Sequence, residues 1–219
     1  MVPTSAWSCP TTARRSTPGR LAAAAAAAEE AGLDSGWMTD HVMVPSRHAG
    51  VYGTIAEALV TVGYLAGRTR RLRLGVSALI VPQREPLLTL KQLVSLDVLS
   101  GGRLVTAVAA GWMEEEFQTL GASFADRGRR LDQWLELAGD LLRQAPGRVV
   151  ADGPVPVPDA WLAPAPTRPE GLELCGWPGC PGTPCAGRPG PGCGTRSPSR
   201  CGSSRPWRPA SARTSPRAG

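Results

Sequence analysis

The residues of this chain with chemistry to offer are few. Asp40 and His41 are adjacent, Ser77 stands alone in an apolar run, and Gly111-Trp112 follows a second apolar run. A histidine beside an aspartate can move protons near neutral pH, because imidazole changes charge there. The same pair also suits a histidine that merely caps a loop, and position alone leaves both readings open. His48, the other histidine, has no such placement and is expected in solvent. Glu114, Glu115 and Glu116 open a helical stretch, where carboxylates favour the positive end of the helix dipole; any of them could also reach a ligand. Arg127, Arg129 and Arg130 could meet a phosphate, although such a run usually forms a solvated helix face.

Six cysteines are available for metal or disulfide chemistry: Cys9, Cys175, Cys180, Cys185, Cys193 and Cys201. From Cys175 on, four, four, seven and seven residues separate them, with no C-x2-C pair and no histidine nearby. That argues against a zinc module, and no metal site is expected.

The elements that must position these residues alternate with regularity between residues 21 and 168. LAAAAAAAEEAG is a helix rich in the best helix former, and Gly32 stands at its C-cap. A short strand, SGWMTD, delivers Asp40 and His41 at its end. TIAEALVTVGYLAGRT has helical spacing, with Ile55, Leu59, Val62 and Leu65 on one stripe. LRLGVSALIV reads as a strand buried on both faces and carries Ser77 near its end. A helix from Pro86 to Leu99, the strand RLVTAVAAG and two further helical segments complete about four βα units. VVADGPVPVPDAWLAPAP then reads as a hairpin-bearing excursion. The alternation implies a parallel sheet in an α/β fold, and in such folds chemistry sits at the carboxyl ends of the strands, where Asp40-His41, Ser77 and Gly111-Trp112 fall. Periodicity alone leaves a barrel and an open doubly wound sheet both possible, and no GxGxxG opens a helix.

Composition excludes several functions. The net charge of +6 comes from the ends: ten of the 24 basic residues but two of the 18 acidic ones lie outside residues 21 to 168, leaving 14 basic against 16 acidic there. No basic stripe follows a folded element, so nucleic acid is not an expected partner. No stretch approaches the roughly 20 apolar residues of a membrane helix. TTARRSTPGRLAAAAAAA resembles a twin-arginine export signal, but its alanine run continues into an amphipathic helix, and a cytoplasmic location is expected.

EEAGLDSGWMTDHVMVP, RLRLGVSALIVPQREPLLTLKQLVSLDVLSGGRL and AAGWMEEEFQTLGASFADRGRRLDQ together resemble the luciferase-like monooxygenases, and within them most closely the oxidoreductases that depend on the deazaflavin coenzyme F420. The resemblance implies part of an eight-stranded (β/α)8 TIM barrel that binds coenzyme F420, or alternatively FMN, at the carboxyl ends of its strands. It implies hydride transfer or monooxygenation on a small organic substrate, and a homodimer in intact members. By position, His41 matches the family's active-site histidine, with Asp40 to orient it. Ser77-Ala78 falls where the family has a bulged, often cis, peptide against the cofactor ring. Gly111 and Trp112 complete the implied cofactor site, the glycine letting the ring approach the backbone. Trp112 stands where the sugar-phosphate dehydrogenases of the family carry a glutamate, which puts that substrate class in question.

The ends depart from the family. Residues 1–20 read as an out-of-frame or disordered segment and 169–219 as a low-complexity, out-of-frame tail; the latter holds ten glycines and ten prolines, too little apolar surface to offset chain entropy. Taking the last base of each codon with the first two of the next, Leu174 to Ala186 accommodates V-W-V-A-G-V-P-G-H-P-L-R, a fifth barrel strand. The same offset over Ala6 to Ala13 accommodates V-V-V-P-N-Y-G, a first strand. Two compensating single-base changes would give this pattern. The alternative expectations are a non-catalytic chain that folds poorly and holds cofactor weakly, and, from the resemblance, an FMN-dependent monooxygenase of the alkanal or alkane type.

Overall fold

The computed structural model describes residues 6–8 and 17–176. The segment carrying Cys9 and the tail carrying Cys180, Cys185, Cys193 and Cys201 lie outside the described residues.

Five strands form one parallel sheet in the order β1 (Ala6–Ser8), β2 (Ser35–Met38), β3 (Arg73–Ile80), β4 (Leu104–Ala109) and β7 (Leu174–Gly176). Each strand lies beside its predecessor in the chain, with only a hairpin, β5 (Gly147–Ala151) and β6 (Val157–Leu162), intervening before β7. A doubly wound sheet reverses direction at a switch point; this order has no reversal. It is the order of consecutive barrel strands, so the fold is an α/β partial TIM barrel.

The sheet reaches beyond the expected limits of 21 and 168 at both ends. β1 pairs with β2 through Ala6, Trp7 and Ser8, and β7 pairs with β4 through Leu174, Cys175 and Gly176. Leu172 and Leu174 are buried in the core.

Alternate strand residues, Met38, Leu74, Val76, Leu104 and Val108, pack against the helices, as the two-residue period of a strand requires. Helix α1 (Pro18–Glu30) contributes Leu21, Ala25 and Ala28, four and three residues apart. A short helical turn, α2 (Ala49–Tyr52), lies in the long loop after β2. Helix α3 runs over Ala58–Ala66, so it starts later than the sequence stripe suggests: Ile55 lies before it, because Glu57 caps the helix by accepting from the Val60 N–H at 2.7 Å. Helix α4 spans Pro86–Leu99, with Glu85 as its cap and Pro86 in the first turn. Helices α5 (Glu114–Thr119) and α6 (Arg127–Gln144) follow β4. Helix α6 buries Leu131, Trp134, Leu137, Ala138 and Leu141 along one face, and the Trp134 indole donates to the Pro86 carbonyl at 3.0 Å.

Two carboxyl or guanidinium groups tie the amino ends of the strands to the helices. Glu29 at the end of α1 accepts backbone N–H groups of Arg70, Arg71 and Leu72. Arg103 donates to the carbonyls of Ser100, Leu72 and Ala66 and to the Thr69 hydroxyl. These bonds set β3 and β4 in register, leaving their opposite ends to carry the site.

Candidate active site

A cleft of about 650 Å³ opens at the carboxyl ends of β2, β3 and β4. Its walls include Asp40 and His41 after β2, Ser77, Ala78 and Ile80 of β3, and Ala109, Gly111 and Trp112 after β4. Tyr52, Gln83, Met113 and Glu116 complete much of the lining. The structure thus brings together Asp40, His41, Ser77, Ala78, Gly111 and Trp112 from the carboxyl ends of three strands. The volume lies within the range of roughly 300 to 1,000 Å³ typical of small-molecule sites.

His41 is 8% exposed, and its Nδ1 lies 2.9 Å from Oε2 of Glu116, which is 1% exposed. The other carboxylate oxygen, Oε1, accepts the N–H groups of Val42 at 2.6 Å and Met43 at 3.1 Å. Glu116 therefore holds both the ring and the backbone that follows it. Burial works against its charged form, but the bonds from His41, Val42 and Met43 outweigh burial and hold the carboxyl below its ordinary value of 4.5. An ionised carboxylate only accepts, so Nδ1 carries a proton, and whenever the ring is neutral the lone pair is on Nε2. That leaves Nε2 as the nitrogen free to exchange a proton.

Asp40 does not orient His41, contrary to the sequence expectation. Its Oδ2 accepts the Ile80 N–H at 2.8 Å and its Oδ1 accepts Arg84 Nη2 at 2.6 Å. Arg84 Nη2 also reaches Glu57 Oε1 at 2.8 Å. Burial alone would weaken the guanidinium's hold on its proton; the Asp40 and Glu57 carboxylates reverse this and raise its pKa. Asp40 is 3% exposed, so its charge needs this partner. The physical reason is what each side chain meets: Arg84 and the Ile80 N–H occupy both oxygens of Asp40, and Glu116 takes Nδ1 of His41.

The β3 wall is irregular. Its pairing with β4 shifts register between Val76 and Leu79, and the Ser77-Ala78 peptide is cis. Opposite, Gly111 has φ +86°, and a Cβ there would lie 2.7 Å from Ile80 Cγ2 and 2.8 Å from Phe117 Cε2. Turn geometry and packing both demand glycine at this position. Arg127 donates from Nε to the Gly111 carbonyl at 3.1 Å, and Arg129 pairs with Asp126 at 2.6 Å. Arg127 is thereby committed to the loop after β4, whereas Arg129 makes an exposed surface pair.

Trp112 is 61% exposed at the mouth of the cleft. Its ring centroid lies 6.3 Å from His41 and 6.2 Å from His48, edge to face with both. Tyr52 stands 4.3 Å from His41 and 6.5 Å from His48. His48, expected in solvent, is half-buried against these rings.

Sequence reading missed Glu116 as the partner of His41. The acidic run was visible, but only the α5 register decides which carboxylate turns inward: Glu116 is buried beside Phe117, whereas Glu115 pairs with Arg47 at the surface. Among the described residues, no group of three or more His, Cys, Asp or Glu side chains is arranged to hold a metal ion, and no helix is long and apolar enough to cross a membrane.

Comparison with known proteins supplies the family. The family described as Luciferase-like monooxygenase matches residues 2–181. The 4-hydroxyprotoasukamycin monooxygenase of Streptomyces nodosus subsp. asukaensis is 32% identical over 147 residues, which are 67% of this chain and 38% of that protein. An F420-dependent glucose-6-phosphate dehydrogenase of Kineococcus radiotolerans is 35% identical over 133 residues, 60% of this chain and 38% of that protein. This chain thus spans well under half the length of these curated relatives. Among solved structures, an F420-dependent secondary alcohol dehydrogenase matches with a TM-score of 0.67 at 20% identity, covering 80% of this chain and 52% of that one. The oxygenating constituent of 3,6-diketocamphane monooxygenase from Pseudomonas putida, in complex with FMN, matches with a TM-score of 0.65 at 15% identity over 80% of this chain and 51% of that one. Those two likenesses concern the fold; the match over residues 2–181 concerns descent. With its cleft at the carboxyl ends of consecutive parallel strands, the chain belongs to the luciferase-like monooxygenase family.

Proposed function

We propose that this chain carries the first-half cofactor and proton-handling machinery of a flavin- or deazaflavin-dependent oxidoreductase acting on a small organic molecule, with coenzyme F420 as the cofactor and FMN as the alternative. The observation that carries the reading is His41, fixed by Glu116 with Nε2 free at a cleft of about 650 Å³. A flat redox ring needs apolar walls and a few polar groups. The lining fits: Ala78, Ile80, Ala109 and Met113 are apolar, and Ser77 and Gln83 offer hydrogen bonds. Ser77, Ala78 and Gly111 would hold the ring, and when bound it supplies the hydride or the oxygen chemistry that no side chain can.

The protein's own part is positional and protonic. Glu116 holds the proton on Nδ1, so Nε2 accepts a proton from a substrate hydroxyl, or returns one in the reverse direction. The carboxylate stabilises the imidazolium that results, while Arg84 and the Ile80 N–H keep the neighbouring Asp40 away from the ring. Which of hydride transfer and monooxygenation occurs is part of the proposal, and the F420- and FMN-linked relatives support each in turn.

The out-of-frame reading of both ends belongs to the same proposal. It is supported by the positions of β1 and β7, which flank β2 and β4 where the first and fifth barrel strands belong. Resequencing codons 13–21 and 165–175 tests it, and an unbroken frame with these codons refutes it. Titration with coenzyme F420 and with FMN tests function. We expect weak binding by the chain as written and micromolar binding of one cofactor by a frame-restored chain; failure of both ligands with the restored chain refutes the reading.

A further inference from the structure

Resting on the reading of the cleft as a redox site, we infer that Trp112, with His48 and Tyr52, is a stacking platform that selects a flat, uncharged, apolar substrate and rejects a phosphorylated one. Four rings form a closed circuit at the mouth: His41 to Tyr52 at 4.3 Å, Tyr52 to His48 at 6.5 Å, His48 to Trp112 at 6.2 Å and Trp112 to His41 at 6.3 Å. The contacts with two histidines hold the indole in place while most of its surface stays open, at 61% exposure. An anchored, open indole is the arrangement that favours stacking of another flat ring, since little side-chain freedom is lost on binding.

Charge supplies a second, independent argument. Among the described residues the cleft lining contains no lysine or arginine, and its two carboxylates, Asp40 and Glu116, are already committed to Arg84 and His41. Phosphate recognition depends on cations or converging N–H donors; Arg84, on the loop after β3, is spent on Asp40 and Glu57, and Arg47, beside His48, is paired with Glu115. The surroundings of the mouth point the same way: Val42, Met43 and Val51, on the loop that carries His48 and Tyr52, are exposed apolar side chains. A substrate entering past them gains by shedding water.

The test is binding of 2-naphthol and of glucose 6-phosphate to the chain, followed by calorimetry, in the parent and in the variants W112A and W112F. Trp112 is largely exposed, so both variants keep the core, and a thermal melt of each verifies this. The expected result is that W112A weakens naphthol binding about tenfold or more while W112F stays within about threefold, because ring area and face are what the platform offers. Glucose 6-phosphate is expected not to compete. Naphthol affinity unchanged in W112A, no naphthol binding by the folded parent, or displacement of naphthol by glucose 6-phosphate at equal concentration would each overturn the inference. Titrating coenzyme F420 and FMN into the frame-restored chain, alongside the same naphthol titrations, separates the two proposals. Trp112-dependent naphthol binding with neither cofactor bound sinks the redox reading and leaves the platform standing, and cofactor binding with Trp112-independent naphthol does the reverse.

Discussion

Removing the Glu116 carboxylate is the sharpest perturbation the site allows. Its two oxygens take three hydrogen bonds, from His41 Nδ1 at 2.9 Å, Val42 N at 2.6 Å and Met43 N at 3.1 Å, at a position 1% exposed. Glu116→Ala leaves the buried His41 Nδ1 and the part-buried Val42 and Met43 N–H groups without this acceptor, at a cost of about 3 to 5 kcal/mol, as for breaking one side of a buried pair. At roughly 2 to 4 °C per kcal/mol for a domain of this size, the melting temperature falls by about 6 to 20 °C. Glu116→Gln is the informative partner. Its carbonyl can still accept from Val42 and Met43, but its NH2 group faces His41, so the ring must turn Nδ1 into an acceptor and carry its proton on Nε2. The stability cost is about 1 to 2 kcal/mol, while the proton-accepting nitrogen at the cleft is lost. Ring nitrogen NMR in mildly alkaline buffer reads the tautomer directly, and circular dichroism reads the melt. Because the folded carboxyl lies below its ordinary 4.5, its contribution is complete above that value and is lost as pH falls through the lower folded value. The pH dependence of the melt in this acid range flattens in Glu116→Gln. An Nδ1 proton retained in Glu116→Gln, or a Glu116→Ala melt within about 1 °C of the parent, would refute the assignment of Glu116 to His41.

Arg84→Met leaves the buried Asp40 with the Ile80 N–H alone and is expected to cost about 3 to 5 kcal/mol in urea denaturation; adding Asp40→Asn should recover part of it, and a single-variant cost under about 1 kcal/mol contradicts the pairing. Gly111→Ala combines a left-handed φ of +86° with contacts of 2.7 Å to Ile80 and 2.8 Å to Phe117, so a loss of about 2 to 4 kcal/mol is expected from backbone strain and overpacking. A melt unchanged from the parent would mean that the loop moves freely. Arg103→Met removes donors to four acceptors at the end of α3, in the turn before β3 and at the end of α4, and native-state hydrogen exchange should show β4 opening earlier than in the parent; unchanged β4 protection would dismiss Arg103 as a tie.

Much of this architecture was legible in the chain. The alternation of buried apolar runs with capped helices announces a parallel sheet, and Pro86 to Leu99 matches α4 at both ends because Glu85-Pro86 and Ser100-Gly101 are local stop and start signals. The hairpin after α6 follows from its proline and glycine punctuation. The strand-end positions of Asp40, His41, Ser77 and Gly111 follow from where the apolar runs stop. Those signals act within a few residues, and sequence contains them whole. Partner choice does not reside there. Which carboxylate meets His41 depends on contact between residues 75 positions apart, set by the turn of α5 over β4, and Asp40 loses that role to Glu116 because Arg84 and the Ile80 N–H claim it first. Likewise His48 joins Trp112 only because the loop after β2 folds back over the end of β4. The sequence by itself determined the elements and the face on which chemistry occurs. Only the tertiary structure decided which charges neutralise one another there, since pairing follows from distance and burial, and neither is written in the order of residues.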